Sequence, residues 1–253
     1  MKAYELIAPI EAIAPKENQE GWDNCGFSVG SPAAEVTKAL FALDCTESII
    51  DEAIGEGCDI IITHHPLIFR GLKSINPDTH LGRIINKAIK HNIVVYSAHT
   101  NIDKATPGVS TLMADRLGLI ERKTLSAAGF GIVGNLPESL SAEQLIELVK
   151  NRFGQKIVRC SAPQAGSIKR VALCGGSGGD FISEAMCEGA QAYITGDLTY
   201  HEFYCEEGFM IIDIGHYGGE YEVLSLFAKI VSENFPNFAA LIGKENTNPI
   251  YYY

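Results

Sequence analysis

No run of apolar residues in this chain approaches the roughly 20 needed to cross a bilayer, so a protein built on spanning helices is not expected. A basic surplus is also missing. Twenty lysines and arginines stand against 31 aspartates and glutamates, a net charge of −11, and broad nucleic-acid binding needs a basic footprint. The seven cysteines are an odd set without a CxxC spacing, and several lie in apolar runs such as ALFALDC and VALCGG. They read as reduced core thiols, not as a disulfide framework or a thiolate zinc site. Glu5 and Glu11 interrupt the first apolar stretch, which reads as an amphipathic helix and not a signal peptide; a cytoplasmic location is expected.

What is present is an alternation. TKALFALDC, CDIIITHH and IVVYSAHT read as strands, separated by the helical segments TESIIDEAIGEG, opened by Thr46, and HLGRIINKAIKHN. GVSTLMADRLGL is a further helix. After Leu125, GFGIVGNLP (strand) and SAEQLIELVKNRFG (helix, with Ser141 and Gln144 at capping-box spacing) lead into KRVALCGG, DFISEAMCEGA, QAYITGD, YHEFYCEEG and FMIIDIGH. The long helix EYEVLSLFAKIVSENF and an edge strand or two close the chain. Strand–helix–strand spacing implies right-handed parallel βαβ units. The expected fold is α/β with two similar lobes, residues 1–124 completed by 217–253, and residues 125–216.

The halves repeat. Glu52-Ala53, Glu56-Gly57 and Ile62-Thr63 meet Glu184-Ala185, Glu188-Gly189 and Ile194-Thr195 at one constant offset, which sets His65 opposite Asp197. A shorter segment then brings IVVYSAHTNID over MIIDIGHYGGE, aligning His99 with His216 and Asp103 with Glu220. EAxxEG is also generic helix-end chemistry, but polar as well as apolar positions match, which favours duplication.

Open α/β sheets bind ligands at the carboxyl ends of their strands, where His64 and His65 fall. His99 with Asp103, and His216 with Glu220, are each a histidine followed four residues later by a carboxylate. Facing lobes would gather His64, His65, His99, Asp103, Asp197, His201, His216 and Glu220 in a cleft, a His/carboxylate set that suits Zn, Mn, Fe or Co. Neighbours on a strand point to opposite faces, so His64 and His65 are expected to serve two different ions, with a carboxylate such as Glu220 as bridge. Each position has a second reading: Asp103 as a helix cap, Glu220 as the start of the last helix, His99 as an outer partner orienting a ligand. Asp197 and His201 read as cavity or proton-transfer groups, and His80 and His91 as solvated. Gly175-Gly176-Ser177-Gly178-Gly179 could cradle a phosphate or form a tight βα turn. Trp22-Asp23-Asn24 could wall the cleft or anchor packing.

In order along nearly the whole chain, GWDNCGFSVG, ITHHPLIF, SAHTNID, GFGIVGNLP, VALCGGSGGD, ITGDLTYHE and GHYGGE resemble the NIF-three-like family. Its bacterial members are commonly labelled GTP cyclohydrolase I type 2 homologues. The resemblance implies two α/β lobes around a two-metal cleft, in the short form without an inserted domain. It further implies homo-oligomers, in some members a hexameric ring. The implied ligands are His64, His65, Asp103, His216 and a bridging Glu220, with His99, Asp197 and His201 as lining groups. The expected function is a metal-dependent hydrolase of a nucleotide or other small phosphorylated or purine-like compound. The alternative is a non-catalytic metal-binding, metal-delivery or regulatory scaffold.

Overall fold

The computed structural model describes residues 1–163 and 166–252. Its strands are β1 (Gly26–Val29), β2 (Lys38–Ala42), β3 (Ile60–Thr63), β4 (Val94–Ser97), β5 (Ile120–Thr124), β6 (Ile132–Leu140), β7 (Arg159–Cys160), β8 (Ile168–Ser177), β9 (Ala192–Gly196), β10 (Met210–Asp213) and β11 (Ala239–Ile242). They form two sheets, in the orders β1-β4-β3-β2-β11 and β5-β6-β8-β9-β10-β7. The chain divides into two compact units, residues 1–102 with 223–253, and residues 103–222. Among the described residues no helix is long and apolar enough to cross a membrane.

In the first unit β4, β3, β2 and β11 run parallel, and β1 lies antiparallel on β4. Ile60, Ile61 and Ile62 are fully buried, as expected of a parallel strand covered on both faces. The helix Glu47–Glu56 starts where Thr46 Oγ1 accepts from Ile49 N at 3.2 Å and stops at Gly57, whose φ of +70° suits a residue without Cβ. In the second unit β8, β9 and β10 are parallel, with β6 and β7 antiparallel on either side and β5 beyond β6.

The unit boundary falls at Ile102/Asp103, whereas the sequence suggests a first lobe running to residue 124. The reason is β5: its segment IERKT, surface-lying and polar except for Ile120, pairs antiparallel with β6 and so belongs to the second sheet. Residues 217–222 also stay with the second unit, and the helix Val223–Asn234 and β11 return to the first. YHEFYCEEG, read as a helix, forms only a 3-10 turn at Tyr200–Phe203.

The repeat is visible in the ladders. Ala39, Ile60 and Val94 are successive partners across β2, β3 and β4, as Val171, Ala192 and Met210 are across β8, β9 and β10. Side chains repeat too. Asp59 accepts from the backbone N of Thr37 and Lys38, and Gln191 accepts from those of Lys169 and Arg170. Lys38 Nζ and Arg170 Nε each donate to the carbonyl of the residue ahead of a helix-ending glycine, Glu56 and Glu188. The register also corrects one alignment. Ala98 N donates to Thr63 O, and Ile214 N to Thr195 O, which makes Thr100, not His99, the counterpart of His216. Both residues begin a short helix, Thr100–Asp103 and His216–Glu220.

The seven cysteines are free thiols. Burial pushes Cys45 and Cys174 up to about 12, so neither is a thiolate at neutral pH.

Candidate metal centre

In the first unit the ends of β2, β3 and β4 carry the polar residues. Thr63 and Ser97, both fully buried, hold hydroxyls 2.8 Å apart, and each donates to the carbonyl of His65, at 2.8 and 3.2 Å. This cross-strand clasp turns the chain out of β3 right after Thr63. The pleat therefore ends before the histidine pair, and the opposite-face expectation does not apply. The imidazoles of His64 and His65 instead lie 5.0 Å apart, each also beside His99 at 5.2 and 5.6 Å. One ring nitrogen from each of the three falls within 4.8 Å of the others.

Each ring is held by its Nδ1. His64, fully buried, donates to Ala98 O at 2.9 Å. His65 donates to Asp44 Oδ1 at 2.7 Å and His99 to Asp23 Oδ1 at 2.8 Å. A carbonyl or carboxylate can only accept, so these bonds favour the Nδ1–H tautomer and leave the lone pair on Nε2, the arrangement in which histidine binds metals. The donor set fits a borderline divalent ion: three imidazoles and no thiolate.

Asp23 and Asp44 are the residues that sequence reasoning missed as histidine partners. The Asp23 side chain is fully buried. It also accepts from Asn24 N at 2.7 Å, Thr100 N at 3.1 Å, Thr100 Oγ1 at 2.5 Å and Cys25 Sγ at 3.2 Å. Burial acts to raise its pKa, but the hydrogen bonds from His99 and Thr100 outweigh it and hold the carboxyl well below the usual range. Trp22 and Phe69, both exposed, stand edge-on to each other at 5.8 Å and to His99 at 6.3 and 6.1 Å. Trp22 thus stands exposed beside His99, while Asp23 holds the His99 ring and Thr100.

In the second unit Gly215, at φ +75°, turns the chain from β10 into the helix His216–Glu220. His216 Nδ1 lies 2.8 Å from Asp197 Oδ2, and its Nε2 lies 3.1 Å from Glu220 Oε2. Asp197 itself sits at φ +57°, just beyond β9. Glu220 is buried. Glycines at two places explain how that helix is seated. A Cβ on Gly176 would stand 2.2 Å from Glu220 Oε1, and one on Gly196 would stand 2.7 Å from the His216 backbone nitrogen. A Cβ on Gly179 would meet Glu202 Oε1 at 2.0 Å. At Gly176 and Gly179 the space a side chain would fill is taken by the carboxylates of Glu220 and Glu202, so the run packs closely against acidic side chains. Asp103 and Glu220 both act electrostatically on the Cys174 thiol, adding to the effect of its burial. His201 lies exposed on the 3-10 turn, its ring against Tyr200 and Tyr204. His80 and His91 are exposed.

Comparison with known proteins places these residues in context. Residues 1–249 match the family model described as Duf34/NIF3 (NGG1p interacting factor 3). A Clostridium perfringens protein named GTP cyclohydrolase 1 type 2 homolog is 40% identical over 258 residues, covering 98% of each chain. Among solved structures, a Bacillus cereus protein related to NIF3 is similar with a TM-score of 0.91 at 25% identity, over 100% of this chain and 99% of that one. HcgD from Methanocaldococcus jannaschii is similar with a TM-score of 0.84 at 29% identity, over 97% and 98%.

Proposed function

The chain belongs to the Duf34/NIF3 family, and on that premise we propose a divalent-metal-dependent hydrolase acting on a nucleotide or another small phosphorylated or purine-like compound. The observation that carries this reading is the meeting of His64, His65 and His99 within 4.8 Å, with every Nδ1 engaged by an acceptor. We assign His64 and His65, together with Asp103, His216 and Glu220, as the residues that would hold two divalent ions, with Zn, Mn, Fe or Co as the candidates. When bound, such ions supply Lewis acidity toward an electrophilic centre and acidify water near neutral pH.

The chain's own residues have separate tasks in this reading. Asp44 and Asp197 orient His65 and His216. His99, fixed by Asp23, keeps its Nε2 available to accept and return a proton. Trp22 and Phe69 offer an apolar edge beside it for a flat ring. His201, exposed and turned toward two tyrosines, has no assigned step. The name carried by the curated relatives, GTP cyclohydrolase 1 type 2 homolog, puts GTP first in a substrate panel.

The test is metal content by elemental analysis, followed by turnover of GTP, other nucleotides and phosphoesters. Metal bound with one substrate consumed supports the reading. Two equivalents of metal with the whole panel untouched would sink the hydrolase and favour a metal carrier. Protein that takes up no divalent ion would sink both.

A further inference from the structure

Beyond β11 the chain stays on the first unit. Gly243 N donates to Phe41 O at 2.8 Å, and the backbone nitrogens of Lys244 and Glu245 donate to the Glu52 carboxylate at 2.8 and 3.2 Å. Lys244 Nζ reaches Glu56 at 2.8 Å. With the segment clamped in this way, Thr247 Oγ1 donates to Asp44 Oδ2 at 3.0 Å. The other oxygen of the same carboxylate, Oδ1, accepts from His65 Nδ1 at 2.7 Å. Asp44, His65 and Thr247 share the wall of a cavity of about 280 Å³.

We propose that Thr247 is a positioning residue for His65, acting through Asp44: the C-terminal segment steadies the carboxylate that sets the ring's tautomer and rotation. The inference rests on the metal reading above, in which His65 is a ligand. Its physical basis is the contrast between two carboxylates. The Asp23 side chain is fully buried, out of reach of water. The Asp44 side chain is 36% exposed, so water competes for its oxygens and its rotamers are less restricted. A hydroxyl delivered by an anchored segment lowers both sources of freedom. Outer partners of this kind govern how well a histidine is presented to a metal.

The test follows the ring itself. In metal-free protein carrying 15N-labelled histidine, long-range proton–nitrogen correlations report the His65 tautomer. Zinc affinity is measured in parallel by competition with a chelator. Wild type is expected in the Nδ1–H form. Asp44→Ala should let the Nε2–H form populate and weaken zinc about 10- to 100-fold. Thr247→Val should move the His65 signals in the same direction and weaken zinc about 5-fold, the worth of one hydrogen bond. Thr247→Ser should restore both, and the His99 signals should stay in place throughout. The proposal is overturned if Thr247→Val leaves the His65 signals unmoved, if serine does not restore them, or if His99 shifts as far as His65. Wild-type protein that binds no zinc would count against the metal reading, while the ring spectra would still decide the positioning role.

Discussion

The two units are most alike at the amino ends of their parallel strands and least alike at the carboxyl ends. At the amino ends Asp59 and Gln191 bridge corresponding pairs of backbone nitrogens, and Lys38 and Arg170 bond the carbonyls at the ends of corresponding helices. At the carboxyl ends the first unit presents three imidazoles backed by Ala98 O, Asp44 and Asp23. The second presents one imidazole between Asp197 and Glu220. His65 and Asp197 occupy equivalent positions in the repeat. One is a donor held by an aspartate; the other is the aspartate that holds a donor. Ladder hydrogen bonds are blind to side-chain identity, so the backbone register survives divergence while the strand ends are open to change in charge and role.

The sharpest way to break this comparison is to remove one residue from each side. His65→Ala and Glu220→Ala should each lower bound metal by more than half. Full retention in both, measured by elemental analysis, would end the ligand assignment. Next in size is Gly176→Ala. Its new Cβ meets Glu220 Oε1 at a backbone φ of +65°, so strain and displacement of the carboxylate should destabilise the protein by about 2–3 kcal/mol, read by denaturant unfolding. Unchanged stability and metal content would show that the helix seat is loose.

Asp23→Asn tests a carboxylate of the first unit whose side chain is fully buried. Hydrogen bonds to the charged group put the expected cost at about 2–3 kcal/mol at pH 7. Because the folded pKa is depressed, the stabilisation is in place above about pH 4, the unfolded value, and declines as pH falls toward the folded one. The gap between variant and wild type should therefore hold from pH 7 to 5 and narrow only in stronger acid. A gap that closes by pH 5 would contradict the depressed pKa.

The smallest effect concerns two helix starts. Lys2 N donates to Glu5 Oε2 at 2.7 Å and Ser141 N to Gln144 Oε1 at 2.9 Å, but Ser141 Oγ also accepts from Gln144 N at 3.3 Å. Ser141→Ala should cost about 1 kcal/mol, whereas Lys2→Ala should cost less, the backbone donor there being retained.

Much of this was legible in the sequence because it depends on short-range pattern. Fully apolar runs gave the central strands, Thr46 and Ser141 marked helix starts, and the histidines at strand ends pointed to the carboxyl edge. Long-range contacts were not legible. Asp23 reaches His99 across 76 residues, and Thr247 reaches Asp44 across 203, with no local signal for either. The two-residue β7 and the mostly polar β5 are not legible because each is held by its neighbour and has no buried apolar face of its own. The glycine run is visible in the sequence as missing Cβ atoms, but what packs against them, the carboxylates of Glu220 and Glu202, is not. The side-by-side rings of His64 and His65 are not legible either, because the contacts of Thr63 and Ser97 with the His65 carbonyl lie across strands.

The first unit is split in sequence, and β2 acquires its outer neighbour only when residues 239–242 arrive. On the ribosome the internal unit, contiguous from 103 to 222, is therefore the first to be complete. The usual order, in which the amino-terminal domain folds first, is inverted here: nascent β2 keeps an unpaired edge through the synthesis of the whole second unit. A chaperone requirement, or aggregation on overexpression, would be expected to trace to that waiting edge.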